Sequence, residues 1–166
     1  MNTVADIRLL LERDVDSFIR EVERFDSDDQ LWHMLPGVTN TAGNLAVHVA
    51  GNLQHFIGAR LGATGYVRDR EREFQQRSGT RADVVRELIA AREAVVSTLT
   101  QLDETRLDLP MPGAPNNLTI PTGRFLLHLV AHTAFHLGQA GYLRRILAGE
   151  NAASTNPMPL GVLESR

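Results

Sequence analysis

The 166-residue chain contains no cysteine. Disulfides, thiolate ligands and a cysteine nucleophile are excluded together, so any metal must be held by nitrogen and oxygen. Long apolar runs are missing too: no segment approaches the roughly 20 residues that a membrane span requires. The first stretch, MNTVADIRLLLERDVD, has acids inside its apolar pattern and lacks the basic start of a secretory leader. Both absences predict a cytoplasmic protein with no membrane partner. Nor is there an excess of one charge. The 17 Lys and Arg stand against 20 Asp and Glu, a net charge of -3, which gives no electrostatic footing for nucleic acid. No glycine-rich phosphate loop, internal repeat or alternating strand-like run occurs, so the expected class is all-α.

What is present is helical periodicity. Val4, Ile7, Leu10, Leu11, Val15, Phe18, Ile19, Val22 and Phe25 recur at helical spacings, predicting a first helix from Asn2 or Thr3 to about Phe25. A second is expected over Thr41–Leu61, capped by Thr39 or Asn40. The third begins at Thr80 with Asp83 three residues on, a capping-box variant. Its expected buried face is Val84, Val85, Leu88, Ile89, Val95, Val96, Leu99 and Leu102. After a loop marked by Pro110, Pro112, Gly113 and Pro115, a fourth runs from Pro121 or Thr122 to Ala148, stopped by Gly149. The connection 62–79 is too long for a tight hairpin between antiparallel neighbours. It fits a crossover that leaves helices two and three parallel, giving a four-helix bundle with a long crossover between helices 2 and 3. Its alternating Arg68, Asp69, Arg70, Glu71, Arg72 and Glu73 read as a solvated surface segment. The expected domain is 1–150, followed by an extended tail over 151–166.

The unusual chemistry lies on the fourth helix, where His128, His132 and His136 follow one another at four-residue intervals. Such residues share one helical face. Burying imidazoles on an apolar helix is costly unless their nitrogens find partners, and a transition metal supplies that partner. Ordinary core histidines would not require three at strict spacing. Eight residues climb about 12 Å, so His128 and His136 cannot share an ion, and either adjacent pair can. The third ligand is expected from the second helix, where Asn44, His48, Gly51, Asn52 and His55 form a polar stripe. His48 and His55 lie about 10 Å apart along the axis, so one of them is the expected third ligand. His33, beside Trp32, has no periodic partner and reads as loop packing. Imidazole suits nickel or zinc better than the hard cations magnesium and calcium. Thr133 follows His132, so the Glu of an HExxH protease is missing.

NLAVHVAGNLQHF on helix two and HLVAHTAFHLGQ on helix four resemble the DinB-like (YfiT-like) family of metalloenzymes over nearly the whole chain, within a subgroup of unknown function. The resemblance implies a divalent ion held by one helix-two His and an HxxxH pair on helix four. That pair's second His precedes a Gly-Gln step, which His136-Leu137-Gly138-Gln139 matches, selecting His132 and His136. On helix two the match falls at His48. Asn52, His55, His128 and Gln139 are then expected around the ligands or lining the pocket. The resemblance also implies a homodimer, a small-molecule substrate and thiol-dependent S-transferase chemistry with a low-molecular-weight thiol. A metal-dependent hydrolase and a non-catalytic metal-binding stress-response module are the alternatives. No catalytic residue is assigned.

Overall fold

The computed structural model describes residues 2–149, 152–153 and 158–164. Four long helices carry the fold, and no strand occurs among the described residues. Helix α1 spans Thr3–Glu23, capped by the Asn2 side chain accepting from the Ala5 N–H. The short α2, Asp28–Leu31, follows. Helix α3, Ala42–Leu53, continues as a π-helical stretch over Gln54–Leu61. A six-residue helix α4, Arg70–Gln75, lies in the crossover. Helix α5 is Arg81–Gln101 and α6 is Thr122–Ala148.

The expected helices are in place, with instructive shifts. Thr41, rather than Thr39 or Asn40, caps α3. Its hydroxyl accepts from the Asn44 N–H at 3.0 Å and the Asn44 side chain accepts from the Thr41 N–H at 3.2 Å, a reciprocal box. The same arrangement between Thr80 and Asp83 starts α5. Gly149 closes α6 at φ 58°, a conformation that glycine adopts without a Cβ penalty. Ile89, expected in the core, is 41% exposed. α5 buries Val84, Leu88, Ala91, Val95 and Leu99, a stripe of spacings three and four, and Ile89 is turned about 100° away from Leu88.

Cross-helix pairs fix the directions. Arg81 bonds Asp28 while Arg92 reaches Glu12, so α5 runs antiparallel to α1. Gly58 approaches Ala94 and Gly62 approaches Thr98, so α3 and α5 run parallel, as a crossover demands. Phe56 packs on Phe125 at one end and His48 meets His132 at the other, so α3 and α6 are antiparallel. The core holds Leu11, Phe18, Leu53, Ile57, Leu88, Leu126 and Leu129, all at 1% exposure or less. Each such side chain contributes about 1.5–3 kcal/mol relative to exposure. The buried ion pair Glu21–Arg144 ties α1 to α6.

The crossover departs most from expectation. Glu73, read as solvated, is 1% exposed, and the Asn44 amide donates to the Glu73 and Gln76 carbonyls, each at 2.9 Å. Two amide hydrogens thus pin α4 against α3. In the C-terminal segment, Leu160–Leu163 forms a 3-10 turn, while 151, 154–157 and 165–166 of the expected extended tail lie outside the described residues.

Candidate metal centre

His48 from α3 and His132 and His136 from α6 come together where the two helices face each other. The Nε2 atom of His132 lies 3.2 Å from that of His48 and 3.1 Å from that of His136. Bonds of about 2.0–2.1 Å to one ion would place neighbouring nitrogens about 2.9–3.4 Å apart, from octahedral to tetrahedral. One ligand atom from each of the three residues lies within 4.8 Å of the others, so the group could hold a metal ion.

The far sides of two rings are engaged. Nδ1 of His136 lies 2.8 Å from Gln139 Oε1, and Nδ1 of His48 lies 2.9 Å from Glu73 Oε2. With a proton on Nδ1 donated to these oxygens, each ring presents Nε2 as its lone pair. Nδ1 of His132 is buried without a partner. Burial, followed by the neighbouring imidazoles His136, His48 and His128 and then Arg68, pushes His132 down to about 3. Burial also lowers His136, partly opposed by its bond to Gln139. Neutral imidazoles are the form a metal requires.

Glu73 is held in turn by Arg68, whose Nε and guanidinium NH2 nitrogens each donate at 2.7 Å to one carboxylate oxygen. Burial pushes the Glu73 carboxyl up, but bonds from His48 and Arg68 outweigh it and hold the group below its ordinary range. Phe74 packs against the His48 ring in a tilted contact, 4.7 Å between ring centres. Of the remaining expected residues, His128 is exposed, with its ring 5.9 Å from that of His132. His55 accepts from Arg60 Nε at 3.4 Å, away from the cluster. Burial and the charges of Arg60 and Arg68 push it down. Asn52 is buried and its Oδ1 has no partner. His33 is exposed in the loop after α2. A cleft of about 470 Å³ opens beside Gln139, lined by Val38, Leu45, Tyr142, Leu143 and Ile146 among others.

An all-helical bundle with a crossover between its parallel middle helices and three imidazoles across α3 and α6 defines the class of molecule. The family model of the DinB superfamily matches residues 3–140, and the chain belongs to that superfamily. No curated protein and no solved structure matches the chain.

Proposed function

We propose that the chain is a metal-dependent enzyme of the thiol-dependent S-transferase type, with a nickel or zinc ion held by His48, His132 and His136. The observation that carries this reading is the convergence of the three imidazoles, two of them with an oxygen acceptor within reach of Nδ1. Among the described residues the group contains three ligands, not four, and catalytic sites keep a position open in this way. A bound divalent ion favours the anion of whatever fills that position, a thiolate from a thiol or a hydroxide from water.

The protein's own residues then orient and exclude. Gln139 and Glu73 fix the ring planes of His136 and His48, and Phe74 packs at a tilt against His48. In the cleft beside Gln139, Val38, Leu45 and Leu143, which the α6 stripe does not use, offer an apolar wall to a small electrophile. Glu73 is already committed to Arg68 and His48, so it is poorly placed as the free general base that metal-assisted hydrolysis would use. That favours the transferase over the hydrolase. A non-catalytic metal-binding module is the reading left if no turnover accompanies binding.

A homodimer through α6 belongs to this proposal. Leu127, Ala131, Phe135, Gly138, Tyr142 and Ile146 form an exposed stripe about 28 Å long. An antiparallel copy of the same helix would set Leu127 against Ile146, Ala131 against Tyr142, and Phe135 against Gly138. In the two inner pairs a bulky residue faces a small one, and in the outer pair two aliphatic side chains meet, a self-complementary pattern about a two-fold axis of the kind an isologous contact needs.

Metal analysis of the purified protein, with transfer assays using several low-molecular-weight thiols, tests the proposal. Stoichiometric nickel or zinc and thiol-dependent turnover are expected. His132→Ala should abolish both while far-ultraviolet circular dichroism keeps most of the helix content, because the apolar stripes remain. Purified protein that takes up neither ion would overturn the centre.

A further inference from the structure

The crossover carries a side chain aimed at the metal centre that the three ligands do not account for. Glu73 is almost completely buried, and a buried carboxylate needs partners for its lone pairs. It has three. Arg68 grips both oxygens at 2.7 Å, and His48 Nδ1 lies 2.9 Å from Oε2. The surface of α3 is shaped to receive it. A Cβ on Gly51 would fall 2.2 Å from Glu73 Oε1, so the carboxylate occupies the space a side chain at position 51 would fill. Gly51 stands three residues after His48 on the same helical face, and Asn44 anchors the backbone of α4 from the turn before.

Two tautomers of His48 compete at this point. Arg68 also brings a guanidinium nitrogen to 3.2 Å from Nδ1, and arginine can only donate. A lone pair on Nδ1 would accept from Arg68, and the proton would then sit on Nε2, pointing at His132. A proton on Nδ1 would instead go to Glu73, and Nε2 would face the cluster with its lone pair.

We infer that Glu73 is a positioning residue of the metal centre, holding His48 in the Nδ1–H tautomer so that Nε2 is available to the ion. The inference rests on the three-histidine metal reading and adds the crossover as a working wall of the site. Arg68 supports it by fixing both carboxylate oxygens, which leaves Oε2 to accept from arginine and imidazole together. Carboxylates behind metal-bound histidines raise ligand basicity and set ring orientation, and losing one costs about 10–100-fold in metal affinity.

Zinc and nickel affinity, measured by competition with a chelator, should be compared in wild type, Glu73→Gln, Gly51→Ala and the control Glu71→Gln. Glu71 is an exposed neighbour that accepts from Gln75. Glu73→Gln keeps the shape but offers an amide that can donate to Nδ1. Gly51→Ala changes no polar group and favours the helix, yet displaces the carboxylate. Both variants should bind about 10–100-fold more weakly, with Glu71→Gln unchanged. Nitrogen-15 NMR of the metal-free wild type should show the His48 proton on Nδ1, moving to Nε2 in Glu73→Gln. Wild-type affinity in both folded variants overturns the role of Glu73, as does an Nε2–H tautomer in the wild type, a reading that needs no variant. Wild type that binds neither ion overturns the metal centre itself, a distinguishable failure.

Discussion

Gln139 closes over His136 from one turn further along α6, its Oε1 2.8 Å from the ring Nδ1. The amide oxygen thus does on α6 what a carboxylate does on α3, at lower strength because it is neutral. The bond is local: both residues belong to one helix and Gln139 is exposed, so it can be removed without disturbing the core. Gln139→Ala is expected to weaken zinc affinity by about tenfold, the low end of the range for partners of metal-bound histidine. Thermal stability without metal should change by less than about 0.5 kcal/mol, as for an ordinary surface substitution. Titration calorimetry with zinc and a melting curve in chelator separate the two, and unchanged affinity would remove Gln139 from the site.

The α6 stripe gives a prediction about assembly. Phe135, Tyr142 and Ile146 are 62, 68 and 61% exposed, and Phe135 lies near the centre of the proposed two-fold contact, opposite Gly138. A carboxylate there would face the partner's apolar helix without a counter-charge. Light scattering after gel filtration should give a dimer for wild type and a monomer for Phe135→Glu. Wild type that is monomeric at high micromolar concentration would sink the contact.

The bundle and the histidine pair were legible because both follow from one period. Spacings of three and four that bury Val4, Ile7, Leu11 and Val15 also put His132 and His136 on one face. The 62–79 length forced parallel middle helices, and Gly58 beside Ala94 and Gly62 beside Thr98 show that arrangement. Glu73 and Arg68 were not legible. Alternating charges read as mutual neutralisation in water, and nothing in a charge pattern tells that one acid of three will be buried against a helix twenty-odd residues upstream. Gly51 was the sign available: a glycine mid-helix on the face of His48 marks a close approach. Ile89 and the Thr41 cap were missed for smaller reasons, a stripe read one residue too wide and a hydroxyl placed one or two residues early.

Acid should destabilise the metal-free protein over two overlapping ranges, and the one that begins at higher pH belongs to the histidines. His132 is pushed from an ordinary 6.5 down to about 3, and His136 is also lowered. Between those values the unfolded chain binds protons that the folded chain refuses, so stability rises with pH there. This contribution is whole above about 6.5 and is lost progressively as pH falls from 6.5 toward about 3. Glu73 is held below its ordinary 4.5, so its contribution is present above 4.5 and is lost as pH falls through its lower folded value. The interval from about 6.5 down to 5 thus isolates the imidazoles. Asp14 shifts the other way, burial raising its carboxyl despite Arg13, and a mutant comparison cancels it. Melting temperature in chelator should fall between pH 6.5 and 5 in wild type and fall less steeply in His132→Leu. Excess zinc should raise the wild-type value near pH 7 by mass action, and that gain should vanish over the same interval as protons displace the ion. A wild-type melting temperature independent of pH from 6.5 to 5, with or without zinc, would mean that the folded state accepts the protons freely. His132 and His136 would then be neither held neutral nor poised for a metal.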